Sequence, residues 1–180
     1  MNRTVNIRKA NATDADIIRT IYTSAFPEGE CDIVSKVALQ LLEEKSIPPT
    51  ISLVAENAGA LIGHVAFSPV EIDADINVQG FILAPLAVRS EHQKRGVGSG
   101  LVQSGIQQLS DMSVQWLFVY GDPQYYGRFG FTTEVAEGFV PPYPLEFPFG
   151  WLGMKLENGK LPSAPVKINC VNALCDPNLW

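Results

Sequence analysis

Nowhere in the 180 residues does an apolar run approach the roughly 20 needed to cross a bilayer. The start, Met1–Arg8, alternates polar and apolar residues and lacks the apolar core of a secretory signal. The expected setting is therefore cytoplasmic, with no membrane partner. Cysteine is scarce. Cys31, Cys170 and Cys175 are an odd number whose spacings match neither a zinc pattern nor a disulfide framework, so free thiols and no metal are expected. Basic residues are also few: 13 Lys and Arg against 19 Asp and Glu give a net charge of −6. That balance excludes a general nucleic-acid binder, because phosphate binding needs a basic face. What is present is a globular composition, 46% hydrophobic and 18% charged, in a length that buries one core.

Alternation marks Val5–Lys9 as a short strand. Thr13-Asp14-Ala15-Asp16 reads as an N-cap followed by an acid, opening a helix to about Phe26. Ile33, Val34, Val37, Leu41 and Leu42 mark a second helix, which Pro48-Pro49 stop. Ile51–Glu56 and Ala60–Ile72 are β-rich runs around Asn57-Ala58-Gly59, a hairpin break in which Gly59 takes positive φ. A third run, Phe81–Val88, follows the polar Asp73–Gln79, so the three strands imply an antiparallel meander. Val97, Leu101, Val102, Ile106 and Leu109 place a helix over Gly96–Leu109, and Val114–Tyr120 is a further strand that should pair in parallel across it. A short helix ended by Gly130 comes next. In the tail, Pro141, Pro142, Pro144 and Pro148 precede Trp151–Leu156, which reads as a last strand. After Leu156 a terminal strand and an extended tail both fit.

Chemistry concentrates in Leu86-Ala87-Val88-Arg89-Ser90-Glu91-His92-Gln93-Lys94-Arg95-Gly96-Val97-Gly98-Ser99. A strand ends, a loop with two cations follows, and a glycine-punctuated helix begins. That order suits a pyrophosphate: the first helical N–H groups lack backbone acceptors, the helix dipole favours negative charge, and glycines let the backbone come close. Gly96-x-Gly98 with Asp122 roughly 20 residues on touches the dinucleotide fingerprint, but Leu101 stands at its third glycine and a basic loop separates strand from helix.

Gln93-x-x-Gly96-x-Gly98 resembles the Q/R-x-x-G-x-G/A signature of the GCN5-related N-acetyltransferase superfamily, placed after the fourth strand and opening the third helix. Tyr125-Tyr126-Gly127-Arg128-Phe129-Gly130-Phe131 is similar to its second signature, a tyrosine four residues before Gly-Phe. The combination looks like a bacterial branch of predicted small acetyltransferases. The resemblance is strongest over 5–131, and it implies one N-acetyltransferase domain over 1–180, with 132–180 as a tail or terminal strands contributing to the acceptor site.

The implied fold is mixed α/β, a central sheet of about seven strands splayed at the fourth and fifth and flanked by helices. In such proteins the pantetheine arm of acetyl-CoA bonds the fourth strand, here Leu86, Ala87 and Val88, and the pyrophosphate sits on Gln93, Lys94, Arg95, Gly96, Val97, Gly98 and Ser99. The resemblance also implies direct transfer to an amine in a ternary complex, with the Val88 N–H as oxyanion donor and Tyr126 as general acid. The general base stays open among Glu71, Glu56 and Glu30, with Asp73 a further acid near them. His64, alone in an apolar strand, reads better as a hydrogen-bonded core or cleft-wall residue than as the base. Arg128 reads as an ion-pair or cleft-rim residue, and Phe129, Phe131, Phe139, Phe147 and Phe149 as core and lid packing. Pro141–Phe149 fits both an acceptor-pocket wall and a rigid loop. Small-molecule and protein amines both remain open as acceptors, and a homodimer is a family-based expectation. The rival reading is a non-catalytic acyl-CoA-binding sensor or partner module.

Overall fold

The computed structural model describes residues 5–73 and 78–180, so the readings made on Met1–Thr4 and on positions 74–77 lie outside the described residues. Its residues group into two units, Met1–Phe67 with Ala84–Gly105, and Ser68–Leu83 with Ile106–Trp180.

In the first unit, strand β1 (Asn6–Lys9) pairs antiparallel with β2 (Ile51–Asn57), with Ile7 opposite Ala55. Strand β2 pairs antiparallel with β3 (Ala60–Ile72), with Leu53 opposite Val65. Ala58 at φ 51 and Gly59 at φ 82 make the turn between them, the two left-handed positions that match the twist of a tight hairpin. Strand order in this unit is β1-β2-β3-β4, with β4 over Gly80–Val88.

The first helix starts differently from its expected cap. Thr13 does not cap it; Asn11 caps a 3-10 turn ahead of it: the Asn11 side chain accepts from the Thr13 N–H at 2.9 Å, and the Asp14 carboxylate accepts from the Asn11 N–H at 2.9 Å. A 3-10 turn over Ala12–Asp14 then leads into α1 (Ala15–Ala25). Asp14 is held there because Arg8 grips both its oxygens, at 2.8 and 3.0 Å. Those hydrogen bonds outweigh burial and hold its carboxyl below the usual carboxylate range.

Helix α1 buries Ile18, Ile21 and Tyr22, and α2 (Cys31–Glu43) buries Val37, Ala38 and Leu41. Ile18, Ile21, Tyr22 and Ala38 share one cluster with Val54, Leu61 and Ala87. Each fully buried large side chain there contributes about 1.5–3 kcal/mol. Ile33, expected on the apolar face of α2, is 39% exposed. Helix α3 (Val97–Asp111) begins in this unit and lies close on β3. A Cβ on Gly63 would stand 3.0 Å from Leu101 Cδ1, and one on Gly105 only 2.1 Å from the Phe67 ring.

In the second unit the strand order is β8-β3-β4-β5-β7, with β6 beside β8. The start of β4 pairs in parallel with β5 (Trp116–Tyr120), from Gly80↔Trp116 to Ile82↔Phe118, as the strand, helix, strand reading requires. Strand β7 (Trp151–Lys155) lies antiparallel to β5. Phe118 packs edge-on to Phe139 at 4.8 Å and stacks on Trp151 at 5.5 Å, giving this unit an aromatic core. The segment after Leu156 resolves to a strand, β8 (Val166–Cys170), antiparallel to Val70–Ile72 of β3. The two-residue β6 (Phe139–Val140) pairs in parallel with β8. Among the described residues eight strands pair, where about seven were expected. Two short helices, α4 (Pro123–Tyr126) and α5 (Thr133–Ala136), complete the unit. Among the described residues no helix is long and apolar enough to cross a membrane.

Candidate active site

At the end of β4 the side chains divide by the strand period: Pro85 and Ala87 are buried, and Leu86 and Val88 half-buried on the other face. The chain beyond is pinned at several points. Arg89 donates its N–H to Ile62 O at 2.9 Å, its Nε–H to Leu61 O at 3.0 Å and its Nη2–H to Thr20 Oγ1 at 3.0 Å. Ser90 donates its N–H to Ser24 Oγ at 3.2 Å and its hydroxyl to Ser24 O. Gln93 then folds back, its Nε2–H donating to Val88 O at 3.0 Å. The signature glutamine therefore ties the loop to the end of the strand.

Lys94 at φ 58 and Gly96 at φ 83 enter the left-handed region just before α3. Turns of this kind help successive amides converge on one anion. Within α3, Gly100 donates to Gly96 O at 2.9 Å, so the amides of Val97, Gly98 and Ser99 precede the first intrahelical bond and sit at the positive end of the dipole. Val97 is buried and anchors the turn, whereas Lys94 and Arg95 are exposed. A Cβ on Gly96 would meet no atom within 4 Å, so the space above it is open. Open space, free amides and two cations together fit a pyrophosphate. The tethers from Arg89 and Ser90 to Thr20 and Ser24 were not legible in the sequence, because partners 69 and 66 positions apart leave no local signal.

Tyr126 ends α4, which Asp122 caps by accepting from the Gln124 N–H at 2.8 Å. Its ring lies edge-on to Tyr125 at 4.9 Å and to Phe131 at 5.8 Å, and it presses on Gly121, where a Cβ would stand 2.6 Å from Tyr126 Cε2. Burial first, then Tyr125 and Asp122, raise its hydroxyl above the usual tyrosine value, although the residue as a whole is half-buried. Tyr125 is engaged elsewhere. The Arg128 guanidinium, read as an ion-pair or cleft-rim residue, sits 4.1 Å over the Tyr125 ring and 4.9 Å over Phe129 in cation–π contact.

The candidate bases stand on separate elements. Glu56 in β2 faces Arg8 at 3.4 Å, Glu30 is exposed just ahead of α2, and Glu71 is exposed on β3 opposite Asn169 of β8. His64 is fully buried, with Nδ1 2.8 Å from Tyr22 Oη and Nε2 2.7 Å from Ser52 Oγ. Burial pushes its imidazole down to about 3, which makes it the core residue expected.

A mixed sheet with a parallel β4–β5 pair, and a cationic, glycine-turned loop opening α3, define the class as an α/β domain whose loop chemistry suits an anion. Residues 6–133 match the acetyltransferase (GNAT) domain. Over 136 residues the chain is 38% identical to YjhQ, an uncharacterized N-acetyltransferase of Escherichia coli K12, covering 74% of this chain and 73% of that protein. The GNAT family N-acetyltransferase YhbS from Escherichia coli, solved in complex with CoA, superposes with a TM-score of 0.79 at 26% identity, covering 94% of this chain and 92% of that one. A GNAT family acetyltransferase from Brucella melitensis, solved with acetyl-CoA, gives 0.71 at 27% identity, with 92% and 96% covered. The chain belongs to the GNAT family of acetyltransferases.

Proposed function

We propose that the chain transfers an acetyl group from acetyl-CoA to a primary amine by direct attack in a ternary complex. The observation that carries this is the Gln93–Ser99 turn, with its free amides, two exposed cations and open space over Gly96, in a chain whose solved relatives YhbS and the Brucella melitensis protein hold CoA and acetyl-CoA. The pyrophosphate is assigned to Gln93, Lys94, Arg95, Gly96, Val97, Gly98 and Ser99, and the pantetheine arm to the main chain of Leu86, Ala87 and Val88.

The coenzyme supplies an acetyl thioester. A neutral amine nitrogen forms the new C–N bond at its carbonyl carbon, and the C–S bond breaks. The Val88 N–H donates to the carbonyl oxygen as charge gathers there. Tyr126 gives its proton to the departing sulfur. Burial makes that release costlier than from a free tyrosine, so the transfer needs bound coenzyme and amine to offset it. The surplus amine proton leaves to a carboxylate among Glu71, Glu56 and Glu30, directly or through water. Glu56 enters that role only by loosening from Arg8. Free-thiol release from acetyl-CoA across an amine panel tests the reading. Turnover that collapses in Tyr126→Phe with coenzyme binding retained supports it, whereas coenzyme binding without turnover of any amine makes the chain a sensor.

A further inference from the structure

Beside the C-terminal end of β5 the second unit holds a cavity of about 520 Å³, within the size range of small-molecule sites. Aromatic side chains wall it, Tyr120, Phe147, Phe149 and Trp180, and the charged side chains lining it are two carboxylates, Asp122 and Glu146. No Lys, Arg or His is among the described residues that line it.

The walls are set in place by the fold. Tyr120 Oη accepts from the Phe147 N–H at 2.9 Å, and Gly121 donates its N–H to Gly150 O at 2.9 Å. The Trp180 ring stacks on Tyr120 at 6.3 Å and 12°, and its Nε1–H is fixed on Leu174 O at 3.1 Å. Phe147 and Phe149 were expected to be core or lid; they lie 52% and 64% exposed, 5.8 Å apart. Two adjacent phenylalanines left in water at the rim of a cavity offer apolar surface to a ligand rather than to their own core. Asp122 spends one oxygen on the Gln124 N–H. Gly121, which lines the cavity, also carries the Tyr126 ring on its Cα, so the cavity adjoins the residue assigned as acid.

We infer that this cavity is the acceptor site, and that it takes a small primary amine carried on an apolar, ring-bearing body with no carboxylate of its own. Before losing its proton, the ammonium is held by Asp122 and Glu146 and by the faces of the aromatic rings. The apolar body lies against Phe147, Phe149 and Trp180. A free amino acid would set its own carboxylate against two like charges with no cation to receive it, and a polyamine would leave the aromatic walls in water. The assignment rests on the acetyltransferase reading above.

Its test has two parts. Calorimetry first measures CoA binding, and then phenethylamine binding to the protein with CoA bound, for wild type, Glu146→Gln and Phe147→Ala; both positions are exposed, so the fold survives. Free-thiol release with acetyl-CoA then compares phenethylamine and tryptamine with phenylalanine, tryptophan and spermidine. The expected result is a kcat/KM at least about 100-fold higher for the two carboxylate-free aromatic amines, together with a roughly tenfold loss of phenethylamine affinity in each variant at unchanged acetyl-CoA KM. Equal or better turnover of the amino acids or spermidine, turnover of none of the five, or variants that leave phenethylamine affinity intact would overturn the acceptor assignment alone. Failure of CoA itself to bind would overturn the acetyltransferase reading and this one with it.

Discussion

Acidification probes the interior of the first unit through His64. Its two ring nitrogens are taken up by Tyr22 Oη and Ser52 Oγ, and no part of it is exposed. Desolvation pushes the imidazole down to about 3, with Asp14 pulling weakly the other way. In the unfolded chain the value returns to about 6.5. Between those limits the unfolded state binds a proton that the folded state refuses, so stability rises with pH across this window and is lost as pH falls below 6.5. The loss approaches about 1.4 kcal/mol per pH unit and totals about 2 kcal/mol by pH 5. That is a large part of a typical folding free energy of roughly 5–15 kcal/mol. Asp14 does not blur the window, because Arg8 keeps its carboxyl below the usual range and therefore ionised there. Urea unfolding at about pH 7, 6 and 5 reads the slope directly, and His64→Gln keeps a polar side chain that cannot titrate. Wild type should lose stability over this range, and the variant should lose about 2 kcal/mol less. A flat wild-type profile, or a slope shared by the variant, would refute a buried neutral His64.

Gly105→Ala would place a Cβ 2.1 Å from ring carbons of the fully buried Phe67. Such overpacking should lower stability by about 1–3 kcal/mol or more, seen as a fall in the urea midpoint at unchanged slope. Tyr126→Phe should lower kcat by about 100-fold while calorimetric coenzyme affinity is retained. Replacing both Lys94 and Arg95 with Ala should weaken CoA binding by about tenfold and flatten its dependence on salt, because both cations are exposed beside the free amides of α3.

Features whose causes are local were legible in the sequence. Asn57-Ala58-Gly59 announces a hairpin because positive φ is chemically restricted, but the register of the β2–β3 body is also set by a bulge at Ala55/Glu56 that the turn does not announce. The turn into α3 at Gln93–Ser99 was legible because its glycines and helix start lie within a few residues. Features whose causes are distant were not. The 3-10 turn capped by Asn11, with Asp14 bound by Arg8 of β1, takes the place where Thr13 was read as the cap. Strand β8 is formed by pairing with residues about a hundred positions earlier, and only Ile168 of its five side chains is fully buried, so alternation is faint. Four-residue α5 is too short to show a period. The cavity is assembled from the end of β5, the segment 146–150 and the segment 178–180, so Pro141–Phe149 alone could not separate a pocket wall from a rigid loop.

The most direct test of acetyl-CoA as cosubstrate is thermal unfolding of the whole chain with CoA, acetyl-CoA or NAD at about 100 times an expected dissociation constant. Binding at that level adds about 2.7 kcal/mol, worth roughly 5–10 °C for a protein of this size. A rise with both coenzyme A compounds and none with NAD is the predicted result. No rise with CoA or acetyl-CoA, or a rise with NAD instead, would contradict the assignment of Gln93–Ser99 and the acetyl transfer built on it.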